Sequence, residues 1–309
     1  MTEAAIWNST DRRLEIPLPK EFSFAQNLAH LSTAPNECLY SIGPNVIRKA
    51  ISAGSKIFVT EVTGSLDRRM MYAAFPGEAQ PDTTEEREAV AGYIREWFDL
   101  SRDLAPFYEL AARDPLLQGP IENYYGLRCM GIPDLFEGLC WGILGQQINL
   151  AYAYTLKRRL VEAYGRSADV NGIVYYVFPE PSVIAALTPE DMDGLGLSQK
   201  KREYLIGVAR LFTDGELSKP MLLQLGDHAS IEKKLVSIRG IGPWTANYVL
   251  MKSLRFPTAF PIDDVGLHNA VKHALGMDRK PTRQELLELS AAWSGWEAYA
   301  TFYLWRLLY

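Results

Sequence analysis

Hydrophobic and polar positions follow different patterns before and after about residue 105. In the first part, the runs Lys56–Val62 and Arg69–Phe75 are rich in β-branched and aromatic residues and are flanked by glycine-containing turns. Helical spacing covers Phe24–Leu31, and a further helix with an acidic first turn is expected from about Thr84. We therefore expect residues 1–105 to form a small α+β domain, with helices beside a small antiparallel sheet.

Beyond about residue 105, helical spacing replaces the strand pattern. Apolar residues recur at helical intervals in Asp134–Gly145, and Asn149 is suited to cap a helix that ends at Gly165. Thr188 and the proline after it are expected to start another helix, and Thr282–Glu285 is a capping-box pattern. We therefore expect residues 106–309 to form a larger all-α domain.

Composition narrows the class of protein. Of 309 residues, 48% are hydrophobic and 22% are charged, which excludes a disordered, collagenous or coiled-coil chain. No apolar run approaches the roughly 18 residues of a membrane span, and the N-terminus lacks the apolar core of a signal peptide. Three scattered cysteines, Cys38, Cys129 and Cys140, are too few for a disulfide framework. We expect a soluble cytoplasmic protein with no membrane partner.

Charge is distributed unevenly along the chain. The net charge of −5 argues by itself against a nucleic-acid partner, but residues 195–260 hold ten basic and five acidic groups. Because fields are screened beyond about 10 Å, phosphate binding depends on such a local patch. A solvated helix face of mixed charge is the alternative explanation.

A short turn between two helical stretches carries the most specific pattern. Gly240 and Gly242 flank a single apolar residue, and Pro243 is suited to the first turn of the following helix. Glycines permit positive φ and close backbone approach, so the N–H groups here form a good seat for a phosphate. Ile238 and Ile241 are expected to anchor the turn in the core. A tight helix–helix turn alone would also explain both glycines.

This stretch, Leu235-Val-Ser-Ile-Arg-Gly-Ile-Gly-Pro-Trp-Thr-Ala246, resembles the hairpin of the helix-hairpin-helix DNA glycosylase superfamily. Two further segments are similar to that superfamily at the expected separations: the helix and loop of Phe136–Asn149, and the aspartate-containing loop of Phe260–Leu267. The C-terminal Trp296, Tyr299-Ala300 and Leu304-Trp305 resemble the last helix of its AlkA-type alkylpurine glycosylases. The resemblance covers about residue 105 to the end, and the N-terminal domain fits the small sheet domain of those enzymes loosely.

The resemblance implies that Asp264, twenty residues after Trp244, is the catalytic carboxylate. Such a group stabilises the cation-like sugar as the base departs, and it orients or deprotonates water. The alternative is that Asp263 and Asp264 only cap a helix. His268, one helical turn beyond Asp264, is a candidate hydrogen-bond partner for it or a packing histidine.

The resemblance also implies an aromatic base pocket formed by Trp244, Tyr248 and Trp305. Trp244 and Tyr248 share one helix face at i and i+4. Alkylated purines such as 3-methyladenine and 7-methylguanine are electron-deficient, and stacking on aromatic rings is worth roughly 1–3 kcal/mol per contact. Core packing is the alternative role for these aromatic residues.

DNA contacts follow from the same resemblance. Gly240, Gly242 and Thr245 correspond to positions that grip the DNA backbone, and Gln147 corresponds to the wedge that fills the gap left by the flipped base. AlkA-type enzymes can carry leucine at the wedge, so the glutamine is a departure. The backbone carbonyls of Val236, Ile238 and Ile241 match a structural Na⁺ or K⁺ site between hairpin and phosphate, and no other cofactor is expected.

Two comparisons within the superfamily limit which of its reactions and cofactors are expected here. Bifunctional members keep a Schiff-base lysine two residues after the second hairpin glycine, where this chain has Trp244, so no strand cleavage at abasic sites is expected. Iron–sulfur members have four clustered C-terminal cysteines, and this sequence has none after Cys140.

We therefore expect a monomeric, monofunctional DNA glycosylase that excises 3-methyladenine and 7-methylguanine from damaged double-stranded DNA in base excision repair. One alternative is a glycosylase for another purine lesion, such as hypoxanthine or an oxidised purine. The other is a non-catalytic helix-hairpin-helix protein that binds DNA. Asp264 favours an enzyme, because a binding module has no use for a carboxylate beside an aromatic pocket.

Overall fold

The computed structural model describes residues 4–65 and 67–308, and it contains a sheet domain followed by a helical domain. The sheet domain contains β1 (Ile6–Asn8), β2 (Arg13–Pro17), α1 (Phe24–Leu31), β3 (Tyr40–Gly43), β4 (Val46–Ala53), β5 (Lys56–Ser65), β6 (Met70–Ala74) and α2 (Thr84–Trp97). The six strands form one antiparallel sheet in the order β1-β2-β6-β5-β4-β3. The expected small antiparallel sheet is confirmed.

The two strands expected from sequence lie at the centre of this sheet, as β5 and β6. The expected helix Phe24–Leu31 is α1, and α2 begins at a capping box formed by Thr83 and Glu86. One face of the sheet packs against α2 through apolar side chains such as Ile51, Phe58 and Ile94, all of which are fully buried. Period-two alternation thus gives the sheet one apolar face that a helix covers.

Helices make up nearly all of the second domain. They are α3 (Ala105–Ala111), α4 (Gln118–Asn123), α5 (Leu135–Leu144), α6 (Leu150–Tyr164), α7 (Pro181–Ala185), α8 (Gln199–Thr213), α9 (Lys219–Gln224), α10 (His228–Val236), α11 (Pro243–Lys252), α12 (Val265–Ala274), α13 (Arg283–Ser290) and α14 (Glu297–Trp305). Asn149 and Thr282 cap α6 and α13 through their side chains, as expected, and Asp134 caps α5 in the same way. Within the described part of the chain, no helix is both long and apolar enough to cross a membrane.

A short β-hairpin departs from the all-α expectation for this domain. Strands β7 (Ser167–Val170) and β8 (Ile173–Tyr176) are joined by Asn171 and Gly172, both at positive φ. An Asn-Gly turn is a strong hairpin signal, and it was present in the sequence. Val170 and Tyr175 pack against Ala50 and Val59 of the first sheet, so tertiary burial stabilises these short strands.

The prediction of a helix that starts at Thr188 is also wrong. Only one turn of 3-10 helix forms there, at Glu190–Met192. The Asp191 carboxylate accepts hydrogen bonds from the backbone N–H and the hydroxyl of Thr188, at 2.7 and 2.9 Å. The chain then turns extended at Asp193, so this local cap closes a turn instead of a longer helix.

Candidate active site

Two glycines of α5 set the position of α11, the helix that follows the expected hairpin. A side chain at Gly138 would meet the Ser253 hydroxyl at 2.3 Å, and one at Gly142 would meet the Thr245 methyl at 2.2 Å. The two helices therefore approach more closely than any residue with a Cβ would allow. This contact fixes where the exposed start of α11 presents its side chains.

Thr245 is one residue whose expected role is corrected. It was expected among the residues that grip the DNA backbone, yet the residue is only 2% exposed and its side chain packs against Gly142. Residues that face the helix interior of a bundle cannot also reach a ligand outside it. The Thr245 side chain thus holds α11 against α5.

The hairpin itself uses its two glycines differently. Gly240 has φ +95°, and a Cβ there would meet the Tyr204 ring at 2.4 Å, so both its conformation and its packing require glycine. Gly242 precedes α11 as its N-cap, and a Cβ there would meet no described atom within 4 Å. Ile238 and Ile241 are buried below the turn, as expected. The turn is therefore anchored on one side and open at Gly242.

Asp264 is held by three N–H donors. Its Oδ1 accepts from the Leu267 backbone at 2.7 Å, which caps α12, and from the Trp305 indole Nε1 at 2.8 Å. Its Oδ2 accepts from the Trp244 indole Nε1 at 2.9 Å. The carboxylate is therefore a helix cap and also the centre of two aromatic contacts, one from α11 and one from α14.

Gly266, which had no expected role, makes this arrangement possible. A Cβ at Gly266 would lie 2.9 Å from Oδ1 of Asp264 and 3.2 Å from the Trp305 indole nitrogen. Any larger residue would therefore push the carboxylate and the indole apart. No local sequence signal indicates this requirement, since it arises from the packing of α14 against α12.

The three expected pocket aromatics lie together with Asp264 on one side of a large cavity. The rings of Trp244 and Tyr248 are stacked, with centroids 5.3 Å apart and planes inclined by 22°. All four residues are partly exposed and line a cavity of about 930 Å³. We call this group, Asp264, Trp244, Tyr248 and Trp305, the aromatic wall.

The neighbours of Asp264 have other roles. Asp263 is exposed, and its carboxylate lies 3.7 Å from Nε of Arg283. The ring nitrogens of His268 face the carbonyls of Pro281 at 2.9 Å and Ile262 at 3.0 Å. The imidazole of His268 therefore lies between two backbone carbonyls and away from the Asp264 carboxylate, while the His268 backbone N–H donates to the Asp264 carbonyl at 3.1 Å within the first turn of α12.

Gln147 lies in the turn between α5 and α6, at the edge of the cavity. It is exposed and has φ +58°, an uncommon conformation for a residue other than glycine. The preceding Gln146 donates from Nε2 to the Gly240 carbonyl at 2.8 Å. This bond ties the Gln147 loop to the hairpin, so both features face the same side of the molecule.

The hairpin carbonyls fit a monovalent cation by chemistry. Val236 ends α10, and Ile241 precedes α11, so their carbonyls lie outside the hydrogen bonds of both helices. The Ile238 carbonyl accepts from the Ile241 N–H at 3.0 Å and retains a second lone pair. Oxygen donors of this kind suit a hard cation.

Another part of the cavity lining is charged and buried. The Lys157 ammonium pairs with Glu37 at 2.8 Å and Glu137 at 2.9 Å, and all three side chains are largely buried. Nearby, the Lys49 ammonium donates to the Leu39 carbonyl at 3.2 Å. Sequence reasoning gave these residues no role. We call Lys157, Glu37, Glu137 and Lys49 the polar wall.

The polar wall joins the two domains electrostatically. Burial opposes the charge on Lys157, but Glu137 and Glu37 outweigh it, so the pKa of Lys157 is raised. Burial would likewise raise the pKa of Glu37, yet the Lys157 charge outweighs it and the pKa of Glu37 is lowered. Both shifts favour the charged forms of Lys157 and Glu37.

The molecule has a hairpin between two helices, and beyond it an aspartate that caps a helix and contacts two indoles. These features together are typical of a helix-hairpin-helix glycosylase. Residues 140–295 match the HhH-GPD superfamily base excision DNA repair protein family, and residues 15–139 match the N-terminal domain of 8-oxoguanine DNA glycosylase. The chain belongs to the HhH-GPD superfamily of base excision DNA repair proteins.

Individual relatives agree with this assignment. The chain is 51% identical over 303 residues to a DNA-3-methyladenine glycosylase of Bacillus subtilis, covering 98% of this chain and 99% of that protein. DNA-3-methyladenine glycosylase 2 of Escherichia coli is 33% identical over 58% of this chain and 60% of that protein. A solved 3-methyladenine DNA glycosylase from Archaeoglobus fulgidus shares the fold, with a TM-score of 0.78 over 94% of this chain and 97% of that one, at 22% identity.

Proposed function

We propose that this protein is a monofunctional DNA glycosylase that excises alkylated purines, 3-methyladenine and 7-methylguanine, in base excision repair. The observation that carries the proposal is Asp264, held between the indoles of Trp244 and Trp305 at the edge of a large cavity. The names of the Bacillus subtilis and Escherichia coli relatives support the same substrate class.

In the proposed reaction, a flipped purine enters the cavity with its sugar beside Asp264. The bond between C1′ and the ring nitrogen breaks, and its electron pair leaves with the base. The negative carboxylate stabilises the developing positive charge on the sugar, and a water molecule then bonds to C1′ and gives a proton to the Asp264 carboxylate. Three N–H donors fix both carboxylate oxygens in advance, so little reorganisation accompanies the charge.

The aromatic wall suits an activated leaving group. Alkylation makes the purine ring electron-deficient, and such rings stack favourably on Trp244 and Tyr248. Because alkylation already weakens the glycosidic bond, the reaction has little need of a dedicated general acid.

We propose that the enzyme has no lyase activity at abasic sites. The helix position that carries the Schiff-base lysine in bifunctional relatives holds Trp244, whose indole is engaged by Asp264. The nearest lysine along the same helix is Lys252, two turns further on. Incubation with an abasic duplex and borohydride should trap no covalent complex, and a trapped complex would contradict this part of the proposal.

Damaged double-stranded DNA is the proposed partner, bound by a monomer. The open N-terminus of α11 at Gly242 offers N–H groups to a phosphate, and Lys233 and Lys234 are exposed beside it. Gln147 is proposed to fill the gap that the flipped base leaves. A Na⁺ or K⁺ ion would be held by the carbonyls of Val236, Ile238 and Ile241, where it would add positive charge toward a phosphate.

Free bases released from methylated duplex DNA, separated by chromatography, test the proposal. We expect 3-methyladenine and 7-methylguanine to appear, with no strand cleavage on a gel. Release of only hypoxanthine or an oxidised purine from matched duplexes would favour the alternative lesion class. Duplex binding without any base release would favour a non-catalytic binding protein.

A further inference from the structure

Lys252, the last residue of α11, is a buried lysine that the proposed mechanism does not use. It lines the same cavity as Asp264 and is 7% exposed. It follows Trp244 by eight residues, which is about 12 Å of helix, and so lies at the other end of α11. Its ammonium lies 4.7 Å from the ring centre of Phe302, which in turn packs against Trp305.

The three cavity lysines differ in how their charges are compensated. Lys157 has two carboxylate partners, and Lys49 donates to a backbone carbonyl close to the same carboxylates. Within residues 4–65 and 67–308, the Lys252 ammonium has the Phe302 ring and no hydrogen-bonded acceptor or ion pair. Burial lowers the pKa of Lys252 most, and the Cys129 thiol and the cationic Arg255 act on it more weakly and in opposite directions.

An amine that lines a cavity without a protein acceptor is free to donate to a ligand that supplies one. A flipped purine with its sugar at Asp264 directs its six-membered ring away from the glycosidic bond and into the cavity. Position 6 carries a carbonyl oxygen in guanine-type bases and an amino group in adenine-type bases. A lysine N–H can therefore donate to the 6-oxygen of a guanine-type base, whereas the 6-amino group of an adenine-type base offers it no acceptor.

Resting on the proposed function, we propose that Lys252 is a specificity-determining residue that donates a hydrogen bond to the 6-oxygen of a flipped guanine-type lesion. It favours 7-methylguanine and hypoxanthine over 3-methyladenine. Burial lowers the pKa of Lys252, which limits its repulsion of a cationic lesion. Both protonation states of the amine keep N–H donors, so the contact with the 6-oxygen does not depend on the charge.

The test compares two lesions in one tube. Methylated duplex DNA, which holds both 7-methylguanine and 3-methyladenine, is incubated with excess wild-type enzyme or Lys252→Met, and the rate of release of each base is measured. We expect Lys252→Met to lower the rate for 7-methylguanine about tenfold and to leave the rate for 3-methyladenine within about twofold. Loss of folding or of DNA affinity would lower both rates together.

Two controls locate the effect. Lys49→Met is the same substitution in the same cavity, at an amine that already has an acceptor, and it should leave the ratio of the two rates unchanged. If Lys252→Met does not fold, free 7-methylguanine and free 3-methyladenine can be compared as inhibitors of the wild type. The 6-oxo base should inhibit about tenfold more strongly.

An unchanged ratio in Lys252→Met, an equal change in Lys49→Met, or equal inhibition by the two bases would overturn the inference. None of these outcomes affects the proposed function. That proposal fails separately, if the wild type releases neither methylated base.

Discussion

The aromatic wall and the polar wall line the same cavity, yet they differ in burial and in the parts of the chain that form them. Asp264 and its two indole partners are partly exposed and come from neighbouring helices of one domain. The Lys157 network is buried and joins α6 to Glu37, 120 residues earlier in the sheet domain. The difference indicates that the aromatic wall carries out the reaction, while the polar wall holds one domain against the other.

The largest expected effect is a loss of base release without a loss of DNA binding, caused by a substitution in the aromatic wall. Asp264→Asn removes the negative charge and replaces one oxygen with an amide that cannot accept from an indole. We expect base release to fall by about 10³-fold, with duplex affinity nearly unchanged. Single-turnover rates and titration of a lesion duplex measure the two effects.

Asp263→Asn is the matched control, because that adjacent carboxylate is exposed and pairs only loosely with Arg283. Its rate should match the wild type. Equal losses in the two variants would contradict the role given to Asp264.

The second prediction concerns the stability that the polar wall provides. Lys157→Met leaves Glu37 and Glu137 buried without their shared cation, and breaking such a pair costs about 3 kcal/mol or more. Denaturant unfolding at pH 7 measures the change in the free energy of unfolding.

Arg239→Met serves as the control for this variant. Arg239 pairs with Glu203 at 2.9 Å on the surface, where such pairs contribute little. If both substitutions cost the same, the buried network does not stabilise the domain junction.

A smaller effect is expected from one indole of the aromatic wall. Trp305→Phe keeps an aromatic ring but removes the Nε1–H that donates to Asp264. Losing one hydrogen bond to a charged group should slow base release about tenfold, with little change in stability. Trp7→Phe, in the edge strand β1, should have no effect on the rate, and a wild-type rate for Trp305→Phe would refute the orienting role.

The smallest expected effect is a dependence on pH. In the wild type, the pKa of Glu37 is lowered, so its contribution to stability is present above about pH 4.5 and is lost as the pH falls through the lowered value. In Lys157→Met, burial without a cation raises the pKa of the same carboxyl, so acidification should relieve its cost. The stability difference between the two proteins should therefore shrink from pH 7 to pH 4, and a constant difference would contradict the network.

Local signals explain why part of the site was predictable. The hairpin glycines, Pro243 and the spacing from Trp244 to Asp264 lie within a single stretch of chain, and the structure brings them together as expected. The cap residues Asp134, Asn149 and Thr282 also act on the residues that directly follow them. Short-range hydrogen bonds of this kind can be inferred from sequence because their geometry is nearly fixed by the chain.

Other features depend on distant partners. Thr245 was expected at the DNA surface but is buried, because Gly142 on another helix receives its side chain. The β7–β8 hairpin was missed although its Asn-Gly turn is visible, because its strands gain their burial from the first sheet. Propensity alone is a weak guide where tertiary contacts decide the outcome.

The sequence by itself determined the two kinds of domain and the glycines of the hairpin, and its resemblance to the helix-hairpin-helix glycosylases singled out the carboxylate that follows. Each of these depends on residues close together in the chain. Only the tertiary structure decided that two indoles hold Asp264, that Glu37 meets Lys157, and that Lys252 lines the same cavity as Asp264. The physical reason is that burial and ion pairing depend on residues far apart in the chain. A local sequence pattern does not show which distant side chain will pack against a given residue.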